Sequence, residues 1–351
     1  MIQAMTLELT KRQEKILLLI SASQGMQTGD LLKSFKELAR LTIIRDLNAL
    51  LELKCIEKKG RGPSTIYFAK LQNQLLKPVS LSSYFRKDID KRASSGPLFN
   101  FEIFDQLKNL FSPEELKQCE TLSEHFKKAQ ESYSPALKKK EFERIMIELA
   151  WKSSKIEGNT YSLLDTELLL KEKIENKNHT PEEAQMLLNH KAAFEYIQEA
   201  PEEFKTFSLM KLRELHHLLV QDLGVATGIR KRAVFILGTN YKPLDNEHEI
   251  LDAVNFLLEK LKKLSHPIEV AFVAFAMLAY IQPFEDGNKR TSRLTANAIL
   301  LANRFCPLSF RSVDISEYKK SVIVFYETNQ LEPLKKLFLE QFEFAAKNYF
   351  L

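Results

Sequence analysis

Cysteine is scarce in this chain. Cys55, Cys119 and Cys306 are odd in number, far apart and form no C-x-x-C pair, which argues against a disulfide framework and against a thiolate zinc site. A reducing cytoplasm is the compartment expected from that usage. Long hydrophobic runs are also lacking. The longest, Val270 to Ile281, falls well short of the roughly 20 residues that a spanning helix needs, and it reads as a buried core helix. The N-terminus shows no basic-then-apolar signal pattern, so no membrane association is expected. The rest is ordinary for a globular protein: 351 residues, 44% hydrophobic and 28% charged, enough for more than one domain.

Charge is unevenly distributed. Residues 1–70 hold 12 Lys and Arg against 7 Asp and Glu, a balance of +5 that equals the whole-chain figure. The remainder is formally neutral, so the excess positive charge sits on a small N-terminal module where it can face phosphates. A solvated basic surface would give the same balance.

Within that module, Thr10 to Ala22 carries Ile16, Leu17, Leu19 and Ile20 at helical spacing behind a Thr10 cap. After Gly25, Thr28 to Phe35 predicts a short helix and Ala39 to Leu53 a third, with Leu41, Ile44, Leu47, Leu50 and Leu51 on one face. Cys55 to Lys59 and Ser64 to Phe68 flank Gly60-Arg61-Gly62-Pro63 and read as a hairpin with a basic tip. Three helices and a hairpin resemble a winged helix-turn-helix, and TIIRDLNALLELKCIEKKGRG resembles the recognition helix and wing of DeoR-type regulators. The resemblance implies DNA as a partner, with Thr42 and Arg45 toward the major groove and Arg40, Lys58, Lys59 and Arg61 on phosphates. A surface pair between Arg45 and Asp46, with the module serving protein contacts or a homodimer, is the alternative.

Residues 71–100, rich in Ser and Pro, read as a connector that wraps rather than packs. Residues 101–351 read as helical almost throughout. Helices are expected at Phe101–Phe111, Pro113–Ala129, Pro135–Ile156, Pro181–Glu199, Ser208–Leu223, Glu247–Leu264, Pro267–Ile281, Asn288–Phe305, Ser316–Thr328 and Glu332–Asn348. Arg232 to Lys242, with a turn at Gly238, is the one hairpin expected in this half. The fold class is therefore mainly α: a helical bundle with a small flap, preceded by the N-terminal module.

The chemistry concentrates in Ile281-Gln282-Pro283-Phe284-Glu285-Asp286-Gly287-Asn288-Lys289-Arg290-Thr291-Ser292-Arg293. An apolar helix ends in a polar loop that opens the next helix, whose unpaired N–H groups and positive dipole end form an anion site. Arg290 and Arg293 add full charges, and Asp286 offers a hard oxygen ligand suited to Mg²⁺ bridging phosphates. The stretch resembles the signature of the Fic family, H-x-F-x-[DE]-G-N-[GK]-R-x-x-R, at every defined position except the first.

The resemblance implies a Fic-type fold and ATP with Mg²⁺ as cofactors. Asp286 would hold the metal, Gly287, Asn288, Lys289 and Arg290 would bind phosphates, and Arg293 the γ-phosphate. Fic enzymes transfer AMP from ATP to a hydroxyl of a target protein, which here includes the protein itself. Val234, Phe235, Ile236, Leu237, Gly238 and Thr239 resemble the family's flap, against which a target segment is laid as an extra strand. Ser153-x-x-x-Glu157-Gly158 fits the inhibitory pattern [ST]-x-x-x-E-[GN], which implies that Glu157 competes with phosphate for Arg293.

Two departures qualify the expectation. Gln282 stands at the position of the catalytic histidine and has no titratable group with which to accept a proton; none of the seven histidines lies beside the loop in sequence. Lys289 is the residue of Doc-type phosphotransferases rather than the usual glycine, while Arg293 points back to AMP transfer. The expectations that remain are auto-inhibited AMP transfer, a catalytically inactive nucleotide-sensing regulator, and Doc-like phosphate transfer.

Overall fold

The computed structural model describes residues 10–350 apart from 22, 24, 36, 53–54, 70–72 and 93–97. The expected helix ends at Ala22 and Leu53, and the connector residues Ser94 to Pro97, lie outside the described residues.

The N-terminal part has three helices, α1 (Lys11–Ser21), α2 (Thr28–Ser34) and α3 (Arg40–Glu52), and three short strands, β1 (Met26–Gln27), β2 (Ile56–Lys59) and β3 (Ile66–Ala69). The strands form an antiparallel sheet in the order β1-β3-β2, with Lys58 opposite Tyr67 and Met26 also opposite Tyr67. The two-residue β1 was not foreseen, because it is too short to carry a period. Ile16, Ile20, Leu31, Ile43, Leu47, Leu50 and Ile56 fill a core of their own. On α3 the buried stripe is Ile43, Leu47 and Leu50, whereas Leu41, assigned to that face from the sequence, is 70% exposed. The i, i+4, i+7 spacing of 43, 47 and 50 gives the better-aligned stripe.

The rest is helical: α4 (Leu81–Tyr84), α5 (Ile103–Gln106), α6 (Pro113–Ser132), α7 (Pro135–Ile156), α8 (Leu163–Glu172), α9 (Pro181–Glu199), α10 (Leu209–Val220), α11 (Glu247–Lys263), α12 (Pro267–Ile281), α13 (Asn288–Ala302), α14 (Ile315–Thr328) and α15 (Glu332–Asn348). Proline in the first turn and a polar N-cap start several of them: Ser112 before α6, Ser134 before α7, Thr180 before α9. The mainly α fold class expected from the sequence is the one observed. The centre is the α12–α13 hairpin. Every residue of α12 from Ala271 onward is buried, as are most of α13, so the loop joining them is fixed at both ends by the core. No helix among the described residues is long and apolar enough to cross a membrane.

Three features differ from the sequence expectation. Helix α8 was not foreseen, since LLDTELLLKE is apolar on most faces and shows no clean period; its start is set by a capping box between Ser162 and Asp165. The Phe101–Phe111 helix shrinks to the single turn of α5. The hairpin expected at Arg232 to Lys242 has its turn at Leu237–Gly238 but no paired strands. The arm after the turn is engaged elsewhere: the Asn240 N–H donates to Glu327 (3.4 Å), the Asn240 amide to the Ile89 carbonyl (3.0 Å), and Lys242 bridges in parallel to Leu98.

The connector also packs more closely than its composition suggested. The Asn73 amide donates to the carbonyls of Gln106 and Lys108, the Leu331 N–H donates to Leu75 O (2.6 Å), and Leu75 is buried in the main core. A Ser- and Pro-rich composition marks irregular backbone. It does not say where that backbone's polar groups find partners.

Candidate functional site

The loop between α12 and α13 is shaped from within. Gln282 ends α12 in the left-handed region (φ 53°), with its N–H on Leu278 O. Phe284 is fully buried and stacks on His216 at 3.6 Å. The Asn288 amide closes the turn in both directions, accepting from Phe284 N–H and donating to Phe284 O, each at 2.8 Å. Gly287 sits at φ +76°, and a Cβ there would come within 3.0 Å of Val220; only glycine fits both the backbone and the space. Thr291 N–H then makes the first intrahelical bond of α13 to Gly287 O (2.8 Å), which leaves the N–H groups of the residues before it without helical partners.

The charged residues around this helix start divide into two sets. Arg290, 2% exposed, donates to Leu219 O (3.1 Å) and Asp286 Oδ2 (3.1 Å), so its guanidinium supports the loop. Asp286 itself is 70% exposed at the side chain. Arg293 is fully buried, and its guanidinium makes four hydrogen bonds. Nε donates to Ser153 Oγ (2.8 Å), one terminal nitrogen to Tyr318 Oη (2.9 Å), and the other to Ser153 O (3.0 Å) and Glu157 Oε1 (2.8 Å). The second oxygen of Glu157 pairs with Lys289 Nζ at 2.9 Å. The structure thus brings together Ser153, Glu157, Lys289 and Arg293. Gly158, at φ +107°, reverses the chain directly after Glu157.

Burial alone would push the Glu157 carboxyl up; Arg293 and Lys289 outweigh it and bring it down to about 2. The pair therefore contributes to stability above the ordinary carboxylate range and is lost only as pH falls toward 2. Near neutrality, protonation does not break the pair.

Ser153 is held in turn by His190, whose Nε2 lies 2.9 Å from Ser153 Oγ, while Nδ1 lies 3.0 Å from Met186 O. Since Ser153 Oγ accepts from Arg293, its proton goes to Nε2, and Nδ1–H donates to the carbonyl. Burial holds His190 neutral, down to about 3, and also lowers His216 to about 4. His216 donates from Nε2 to Asp286 O (3.0 Å). His190 and His216 are thus both buried and hydrogen-bonded within the core, and neither lines the cleft.

Gln282 lines the cleft with its side chain already engaged. Nε2 donates to Ala279 O (2.6 Å) and to Tyr326 Oη (3.2 Å). Its main-chain carbonyl accepts from Arg230 Nε (2.7 Å), and Arg230 N–H donates to Pro283 O (3.0 Å), so a buried arginine fastens the flap's base to the loop. The cleft, about 180 Å³, is lined by Glu157, residues 234–237, Gln282 and residues 285–290. Across it, Val234 and Ile236 are half-buried, whereas Phe235 and Leu237 are 88% and 98% exposed; Thr239 accepts the Tyr241 N–H. Among the described residues, no cluster of three or more carboxylates, histidines or cysteines could hold a metal by itself.

In the N-terminal part, Arg40, Arg45, Lys58, Lys59 and Arg61 are exposed and Thr42 is half-buried. The surface pair between Arg45 and Asp46 is not formed. Asp46 is 4% exposed and takes Arg12 instead, at 2.5 Å.

Sequence reasoning missed Tyr318, Tyr326 and His216, and placed Asn288 and Arg290 on phosphates without seeing that their side chains hold the loop. The tyrosines lie on α14, far along the chain, and carry no local signal.

A profile of the Fic/DOC family matches residues 206–300. Curated relatives include the protein adenylyltransferase Fic of Nematostella vectensis, 29% identical over 170 residues, covering 47% of this chain and 40% of the relative. That of Culex quinquefasciatus is 31% identical over 167 residues, covering 46% and 33%. The alignments therefore span two fifths or less of these relatives. Among solved structures, Fic-1 (residues 134–508) of Caenorhabditis elegans superposes with a TM-score of 0.55 at 22% identity, covering 67% of this chain and 69% of that one. A Fic-domain signalling protein from Bacteroides thetaiotaomicron gives 0.55 at 22%, covering 66% and 96%. Profile, relatives and fold agree: residues 206–300 of this chain form a domain of the Fic/DOC family.

Proposed function

We propose that the protein binds MgATP at the helix start of residues 287–293 and transfers AMP to a protein hydroxyl, its own included, once Glu157 leaves Arg293. The observation that carries this reading is the 2.8 Å contact between Glu157 and Arg293. One carboxylate oxygen occupies a buried guanidinium beside a helix N-terminus and the other a lysine, and a phosphate carries charge of the same sign and can accept from the same two cations. The cleft's volume, about 180 Å³, lies below the roughly 300–1,000 Å³ typical of small-molecule pockets, which fits a site that Glu157 must vacate before a nucleotide enters.

In the reaction, the hydroxyl oxygen attacks the α-phosphorus, the bond from that phosphorus to the β-phosphate bridging oxygen breaks, and pyrophosphate leaves. Asp286 is exposed and offers one carboxylate, which fits a metal that arrives with the phosphates; bound there, Mg²⁺ would neutralise phosphate charge. Lys289 and the N–H groups of Gly287 to Arg290 orient the phosphates. The alternation of half-buried and exposed residues along Val234 to Leu237 suits addition of a target segment as a strand. The proton of the attacking hydroxyl needs a base, and Gln282 supplies none.

That gap sustains a second reading, a nucleotide sensor without chemistry, favoured by the engagement of Gln282 Nε2 with Ala279 and Tyr326. Phosphate transfer rests on Lys289 alone, whose pairing with Glu157 gives it a role independent of the donor's orientation. The test is incubation of the Glu157→Gly variant with ATP radiolabelled at either the α- or the γ-phosphate. Label retained on denatured protein from the α-position alone is expected. Retention from the γ-position alone would mean phosphate transfer, and from neither, a sensor.

For the N-terminal part we propose a winged helix-turn-helix that binds DNA through Arg40, Thr42, Arg45 and the wing residues Lys58, Lys59 and Arg61. Engagement of Asp46 by Arg12 leaves the exposed Arg45 unopposed on α3. Arg45→Ala should weaken binding to a selected operator by about 1–3 kcal/mol if the side chain reads a base. The check is a salt-controlled titration, and unchanged affinity removes Arg45 from the reading set.

A further inference from the structure

The buried carboxylate of Glu327, on α14, holds the connector and the flap together. Tyr84 Oη donates to Glu327 Oε2 (2.7 Å), and Arg92 lies 3.5 Å from the same oxygen, with both Arg92 and Glu327 almost fully buried at the side chain. The other oxygen accepts the N–H of Asn240, in the arm of the flap after its turn. Arg92 also reaches the flap directly, donating to Gly238 O at 3.0 Å, and packs over Phe85 at 5.0 Å. Asn240 returns the contact to Ile89 O, and Leu98 bridges to Lys242. Farther along the connector, Asn100 N–H donates to Tyr280 Oη (3.0 Å), and Tyr280 stacks on the flap's Tyr241 at 4.7 Å.

These contacts account for the unformed hairpin. Of the second arm's backbone groups, Gly238 O is taken by Arg92, the Asn240 N–H by Glu327 and the Tyr241 N–H by Thr239, while Lys242 bridges to Leu98. The first arm, Val234 to Leu237, lines the cleft. An exposed strand edge is useful for pairing only if something fixes its position, because an unsupported extended segment must be ordered at the moment of binding, at a cost of about 1–2 kcal/mol per residue.

We propose that Arg92 and Glu327 are positioning residues for the target-docking flap, and that connector residues 84–92 and 98–100 are a working part of the site rather than a tether. The inference rests on the flap's docking role proposed above. It implies that displacement of the connector, which leads from the N-terminal part, loosens the flap without touching the phosphate-binding helix start.

The test is hydrogen exchange of the full-length protein, comparing wild type with Arg92→Ala and Glu327→Gln, together with a calorimetric MgATP titration in the Glu157→Gly background. Arg92→Ala should raise exchange at residues 239–242 by about tenfold, the loss expected from a buried charged hydrogen bond. Exchange along α12 and α13 and the MgATP affinity should stay unchanged. Arg92→Lys, which retains the charge but lacks the fork, should restore protection in part. Unchanged exchange at residues 239–242 in both Arg92→Ala and Glu327→Gln would overturn the proposal, as would a rise shared equally by α12 and α13, which signals global loosening. Failure of every protein to bind MgATP would overturn the nucleotide reading while leaving the exchange result to decide the positioning role.

Discussion

Gln282→His in the Glu157→Gly background is expected to raise self-labelling from α-labelled ATP by about 10²- to 10⁴-fold, the usual contribution of a positioned general base. The backbone accepts the change. Position 282 is left-handed at φ 53°, a region in which histidine is enriched several-fold among non-glycine residues. The amide of Gln282 is spent on Ala279 O and Tyr326 Oη, and burial pushes the Tyr326 phenol far up, so that ring is no base near neutrality. An imidazole at this position adds the missing proton acceptor at the cleft wall. If the double variant binds MgATP but labels no faster than Glu157→Gly, Gln282 is not what limits the reaction.

The second large effect concerns the unliganded protein. Glu157→Gly leaves Arg293 fully buried without its carboxylate, and breaking one partner out of a buried pair costs about 3–5 kcal/mol. Ser153 and Tyr318 still accept from the guanidinium, so the loss should fall toward the lower end. The variant should therefore melt at a lower temperature than wild type when free, and gain more from MgATP, since a ligand that binds only the folded state stabilises it with the logarithm of its concentration over Kd. Thermal melts with and without MgATP check both halves. A variant as stable as wild type when free would mean that Arg293 is satisfied without Glu157.

Local signals carried much of this architecture. Helices α7, α9, α12 and α15 begin and end where proline, caps and periodicity place them, because those determinants lie within a turn of the residue concerned. The loop and helix start at residues 282–293 were legible for the same reason, since they are contiguous in sequence. What escaped was held by distant partners. The pairing of Lys289 with Glu157, the seat of Arg293 on Tyr318 and the relay from His190 to Ser153 join segments that only the folded bundle brings together. The flap's missing ladder follows from Arg92, Asn240 and Glu327 in the same way. Asn288 is the instructive near case: its amide bonds Phe284 four residues earlier, yet a signature that assigns it to phosphates obscures that role.

In the proposed mechanism, Glu157 and the nucleotide's phosphates compete for Arg293. Calorimetric titration of MgATP into wild type, Glu157→Gly and Arg293→Ala tests it most directly. Charge-assisted hydrogen bonds contribute about 1.5–3 kcal/mol, so Glu157→Gly should bind roughly 10- to 100-fold more tightly than wild type, and Arg293→Ala should bind more weakly than Glu157→Gly by a similar factor. Equal affinities in all three proteins would contradict the account and leave the Glu157–Arg293 pair a purely structural contact.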